Sequence, residues 1–233
     1  MMTARTLTVQ LDGRTIALAL RRSSRARRIA IRVDSALGGA ELVLPADATI
    51  SAGRAFVAQK AAWLLAQMDR IPAVVSLQAG ASIPYRGAPH RIVHDPAARR
   101  GVHLADNRIV VSGRAEHLAR RLRDWLRREA LAAIAPLARA KSTLLDRAHG
   151  RISIRNQKSR WGSCSAKGNL SFNWRLILAP DDVLDYVVAH EVAHLAQANH
   201  SPAFWAVVDR LTPHGCYGRR WLKQHGGALF RYG

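Results

Sequence analysis

Cysteine is almost absent: only Cys164 and Cys216 occur among 233 residues. No disulfide framework can be built from two, and the scarcity fits a reducing compartment. Long apolar runs are missing as well. The longest, such as residues 130–138, fall far short of the about 20 residues that a membrane-spanning helix needs. The opening stretch MMTARTLTVQLDGR has no basic segment followed by an apolar one, so no secretory signal is expected. A cytoplasmic location follows as the expectation. Lysine is confined to positions 60, 141, 158, 167 and 223. Acidic residues are also few. Sixteen Asp+Glu against 36 Lys+Arg leave a net charge of +20, nearly all of it arginine. Such a surface attracts polyanions at low salt, although a general taste for arginine would give the same composition. Hydrophobic residues make up 48 %, which excludes global disorder.

Apolar residues alternate with period two at first. Leu7, Val9 and Leu11 precede Asp12-Gly13, and Ile16, Leu18 and Leu20 follow. This predicts a hairpin, because Asp-Gly accepts the positive φ of a tight turn. Ile29, Ile31 and Val33, then Leu42 and Leu44, continue the pattern. Helical spacing takes over at 49–69, with Pro72 as the stop. Short strands return over 82–111. Ser112 is placed to cap a helix with Glu116 in its first turn, and Pro136 should kink or split that helix. No internal repeat is visible. The fold class expected is α+β: a strand-rich N-terminal domain over 1–114 and a second, catalytic domain over 115–233. Residues 151–178 predict two strands, the second running from Leu170 to Leu176.

Chemistry concentrates in 183–205, VLDYVVAHEVAHLAQANHSPAFW. It holds His190-Glu191-Val192-Ala193-His194, the H-E-x-x-H pattern. Histidines four apart stand on one helix face, so both imidazoles reach one metal, while Glu191 is turned toward a water on that metal. The flanking residues are apolar nearly all round, which predicts a buried helix. Two histidines and a glutamate are costly there unless an ion such as zinc satisfies them. His200 follows His194 by six residues, about 600° of helix, so the helix must stop between them. Asn199 is a left-handed terminator candidate, and Ser201-Pro202 restarts a helix with Ser201 as cap. That break returns His200 toward the metal as third ligand. Asp209, His214 and His225 remain alternatives; no glutamate follows Glu191.

The segments RWGSCS (160–165), Gly168-Asn169-Leu170, Asn173-Trp174, Asp185-Tyr186-Val187-Val188, His190–Leu195 and NHSPAFW (199–205) closely resemble the YgjP-type bacterial metallopeptidases. These are zincins, similar in their catalytic region to SprT-like proteases. The resemblance is strong in the C-terminal third and fainter at Arg25–Val33, Ala61–Trp63 and Gly80–Gly87. It implies a zincin-like catalytic part with His190, His194 and His200 as ligands of one zinc ion and Glu191 as catalytic acid/base. The same histidine spacing fits metzincins. That pattern, however, has glycine where Gln197 stands and needs a downstream methionine, and the methionines here are Met1, Met2 and Met68.

The expected activity is therefore zinc-dependent hydrolysis of peptide or protein substrates by a metal-activated water. Tyr217, His214 and Asn173 are candidates for a second group on the oxyanion. The strand 170–176 is either a substrate-pairing edge or an internal strand. Cys164 and Trp161, Trp174, Trp205 and Trp221 are expected to be packing residues. The run Arg21–Arg28 reads as a solvated loop. Arg120, Arg123 and Arg127 share a helix face, which keeps open a basic nucleic-acid-binding protein with a structural or vestigial metal site.

Overall fold

A computed structural model describes residues 5–34, 39–69, 74–157 and 159–233. They form two compact units, Met1–Val74 and Val75–Gly233.

In the first unit β1 (Arg5–Leu11) and β2 (Arg14–Ser23) form the expected hairpin. Asp12 (φ 47°) and Gly13 (φ 75°) both adopt the left-handed conformation that a two-residue turn requires. The period-two pattern buries Leu7, Val9, Leu11, Ile16 and Leu18 on one face. Strands β3 (Ala30–Asp34) and β4 (Gly39–Pro45) complete a sheet of order β1-β2-β4-β3, with β2 and β4 parallel. The helix expected over 49–69 is two, α1 (Ile50–Gln59) and α2 (Ala61–Asp69). Lys60 breaks them: its N–H turns to Phe56 and Val57, and its ψ of 16° leaves the helical region. Val57 and Leu64 then each enter the core. Pro72 lies outside the described residues.

The second unit begins with another four-stranded sheet: β5 (Ser82–Tyr85), β6 (Ala88–His94), β7 (Val102–Ala105) and β8 (Arg108–Val111), in order β5-β6-β8-β7. Its pairing senses repeat those of the first sheet strand for strand. A topological repeat is thus present without a visible sequence repeat. The boundary expected at 114/115 falls inside this unit, between β8 and the next helix. Ile83, Ile92, Ile109 and Val111 of the sheet share one core with Leu122, Trp125 and Leu126 of that helix, so the switch of period there is not a break between cores.

That helix, α3 (Leu118–Leu144), runs uninterrupted through Pro136. Ser112 does not cap it. A single 3₁₀ turn at Ala115–His117 intervenes, and the Ser112 hydroxyl accepts a hydrogen bond from Arg121 Nη2 at 3.0 Å. Three short strands follow: β9 (Ile152–Arg155), β10 (Gly162–Cys164) and β11 (Leu170–Asn173), in order β10-β11-β9. The strand expected over 170–176 ends at Asn173, and Trp174–Leu178 coils into a buried 3₁₀ turn. Because β11 is paired on both sides, its backbone is not an edge open to another chain. Helices α4 (Asp181–Ala193), α5 (Pro202–Leu211) and α6 (Gly215–Leu229) close the unit. Among the described residues no helix is long and apolar enough to cross a membrane.

Two devices fix α4. The β5–β6 turn grips its start. Arg86 N donates to Ile177 O (2.8 Å), Gly87 N to Leu178 O (3.2 Å), and the Arg86 guanidinium makes two bonds to Asp181 (2.8 and 2.7 Å). Midway along, Asp185 accepts from buried Lys141 Nζ (2.7 Å) and from the Thr212 hydroxyl. Lys141 also donates to Leu211 O at 2.8 Å. Breaking a buried pair strands the remaining charge. Lys141→Met is therefore expected to cost about 3 kcal/mol, read as a fall in the thermal midpoint. Adding Asp185→Asn should recover most of it; no recovery would mean that the lysine stem, not the ion pair, matters.

Candidate metal centre

Pro180 takes the N-cap position of α4, and Asp181 and Asp182 lie in its first turn, where the helix dipole favours acids. Nine of the thirteen residues of α4 are buried, as its apolar circumference requires. His190 and His194, one turn apart, bring their ring centroids to 5.2 Å. The helix ends at Ala193 with His194 as its C-cap, and the Leu195 and Ala196 amides fold back on Val192 and Ala193. The chain therefore leaves the helix before Asn199, which does not adopt the left-handed conformation expected of it. Ser201 does take the N-cap position of α5 with Pro202 as first helical residue, although no side-chain cap bond forms.

The break carries His200 back to the other two. His200 Nε2 lies 3.1 Å from His190 Nε2, and one ligand nitrogen from each of the three histidines falls within 4.8 Å of the others. Phe204, fully buried, packs its ring 4.9, 4.6 and 4.7 Å from His190, His194 and His200. Trp205 stands 5.8 and 5.9 Å from His190 and His200.

The protonation pattern suits metal binding. His194 Nδ1 lies 3.1 Å from Gln197 O. A carbonyl only accepts, so Nδ1 carries the proton and the Nε2 lone pair is free. Burial, helped by His194, His200 and Arg219, pushes His190 down to about 4, and burial also lowers His194. Both rings are neutral near pH 7 and available as ligands. A tetrahedral ion bound at about 2.0–2.1 Å separates its nitrogen ligands by roughly 3.4 Å. The observed 3.1 Å between His190 and His200 is close to that, so the donor set fits one small ion. Three imidazoles suit zinc, copper, iron or nickel rather than calcium or magnesium.

Glu191 is 6 % exposed, and burial raises its carboxyl to about 7 against the opposing pull of Arg160. A carboxyl poised there serves as a base or an acid near neutrality. The strand β10 passes over it at Gly162. A Cβ on that residue would lie 2.5 Å from Glu191 Cγ and 2.6 Å from Oε1. Sequence reasoning picked out the RWGSCS segment but missed this contact. The available signal was a glycine inside a strand, which marks close approach by another group.

The alternatives lie elsewhere. His214 is 3.5 Å from Asp182, His225 packs against Trp221 at a tilt, and Asp209 belongs to a different cleft. Asn173 is consumed structurally: its Nδ2 donates to Gln157 O (2.7 Å) and its Oδ1 accepts from Arg175 N (3.1 Å). Tyr217 is exposed on α6. Cys164 stands outside the histidine cluster, with its thiol raised first by burial and then by Glu191. Trp174 is fully buried, and Trp161, Trp205 and Trp221 pack against the core.

A family model described as "YgjP-like, metallopeptidase domain" matches residues 27–225. No curated protein matches the chain. Among solved structures, the crystal structure of the metallopeptidase zymogen of Pyrococcus abyssi abylysin is similar over 39 % of this chain and 93 % of that one, at 21 % identity and a TM-score of 0.35.

Proposed function

The chain belongs to the YgjP-like metallopeptidase family, and from that premise we propose that it hydrolyses peptide bonds with one zinc ion held by His190, His194 and His200 and with Glu191 as general base and acid. The convergence of three imidazoles beside a buried carboxylate carries the proposal. The ion, when bound, supplies Lewis acidity to a water and to the scissile carbonyl. The chain's own residues do the rest. Glu191, ionised in a dry pocket, takes the proton of the attacking water and returns it to the departing amine. Gly162, with no side chain, leaves the space that Glu191 occupies. His194 is held in its ligand tautomer by Gln197 O. An extended substrate pairs with β10, an outer strand of its sheet that runs beside Glu191; the inner strand β11 has no free edge.

The charge-based alternative gains no support. Of the three arginines sharing a face of α3, Arg127 already donates to Ile154 O at 2.7 Å, and Arg120 lies 3.9 Å from Asp124.

Metal analysis of the purified protein decides the matter. We expect about one zinc per chain, in line with a three-histidine donor set. Degradation of unfolded casein should stop with chelator and return with zinc. His190→Ala should lose both metal and activity. Wild-type protein without a stoichiometric divalent ion, or with chelator-insensitive cleavage, would overturn the assignment.

A further inference from the structure

We infer that the cleft between α5 and α6 is a subsite for a substrate carboxylate; the inference rests on the peptidase reading above. The cleft encloses about 560 Å³ and is lined by Trp205, Asp209, Arg219, Arg220 and Lys223, among others. Trp205 forms both its wall and the surround of the histidine cluster. A chain bound at the cluster can therefore extend past Trp205 into this space.

Three cations face the cleft, and all are exposed. Among the described residues none is within 4 Å of a carboxylate, although Asp209 lines the same space. Unpaired arginines are common in a chain of charge +20. These differ in placement. The Arg219 guanidinium lies over the Trp205 ring at 4.8 Å, which orients it beside the histidines. Arg219 and Lys223 stand one turn apart on α6, with Arg220 beside them, so one carboxylate can meet two or three donors. Arginine forks and ammonium groups bind carboxylates through charge-assisted hydrogen bonds. A glutamate or aspartate side chain and a free C-terminus offer the same chemistry.

The test uses three sets of matched octapeptides on one neutral frame, each fluorescein-labelled. One set is amidated with Glu scanned through the positions. The second is amidated with Gln scanned instead. The third is the Gln set with a free C-terminus. Binding is measured by anisotropy on zinc-loaded Glu191→Gln protein, and cleavage is measured on wild type. At the best position the acidic or free-carboxylate peptide should bind about tenfold more tightly than its amidated Gln partner. The advantage should shrink as salt rises. Which set shows it identifies the source of the carboxylate. Arg220→Glu with Lys223→Glu should abolish the preference and favour a Lys peptide, while cleavage of the best Gln peptide stays within about threefold. Arg220→Gln, a milder change, should reduce the preference in the same direction. Equal affinities, or a preference unchanged in the double variant, would overturn the subsite. Cleavage without preference sinks the subsite and leaves the peptidase standing. Selective binding without any metal-dependent cleavage keeps the subsite and sinks the peptidase.

Discussion

Glu191→Gln should retain one zinc per chain and cleave peptides about 10²–10⁴-fold more slowly than wild type. The amide has nearly the shape of the carboxylate and cannot carry the proton from water to amine. The histidines do not depend on it: His194 is set by Gln197 O and His200 by the break before α5. The same substitution has a second signature in the metal-free protein. Burial lifts the Glu191 carboxyl from an ordinary 4.5 to about 7, so the folded state holds this proton more firmly than the unfolded state. Ionising it destabilises the fold. The penalty is absent below pH 4.5 and complete above 7. A displacement of that size corresponds to about 3 kcal/mol. Glutamine carries no such penalty, and the lowered His190 affects both proteins alike. In chelator, the stability of the variant relative to wild type should therefore climb by about 3 kcal/mol between pH 4.5 and 8, measured by denaturant titration. Parallel curves would show that the carboxyl is not held in a dry pocket.

Gly162→Ala should cripple cleavage as well, without touching any atom that reacts. The added methyl would stand 2.5 Å from Glu191 Cγ, 2.7 Å from Cδ and 2.6 Å from Oε1, closer than packed atoms approach. The methyl meets the middle of the glutamate as well as its tip, and α4 is pinned at both Asp181 and Asp185. Either β10 retreats or the carboxylate swings away. Overpacking of this kind costs about 1–3 kcal/mol. Misplacing a catalytic group by an ångström costs about 10²-fold in rate. The control is Glu191→Ala, which removes the atoms in conflict. In that background the second alanine should be nearly neutral for stability, and the coupling in the double-mutant cycle reports the contact. A Gly162→Ala protein with unchanged kcat would disprove it.

The histidine triad was legible because each step that builds it is local. One helical turn separates His190 from His194, and Ser201-Pro202 marks a restart that forces a bend before it. The Asp12-Gly13 hairpin was legible for the same reason. What escaped depends on partners far along the chain. The end of α4 came earlier than Asn199 suggested, since the His194 cap and the following turns complete the break. Alternation identified Leu170 and Phe172 as strand residues, yet parallel pairing with Ile152–Arg155, which makes β11 internal, leaves no mark on either segment. Nor does period-two spacing reveal that residues 5–45 and 82–111 trace the same strand order. The change from strand to helix near residue 114 does not mark a change of core, and local spacing cannot show that. Ile92 and Leu126 pack in one cluster across that change.

The grip of Arg86 and Gly87 on the residues that open α4 bears on how this candidate metal centre is transplanted. Someone grafting the motif helix into a foreign scaffold would naturally cut where helix α3 begins. Such an excision discards the turn that seats Ile177, Leu178 and Asp181, and it bares Ile83's former partners to solvent. Residues 75–233, one compact unit, keep that turn and the motif helix together, with the little sheet serving as the mount.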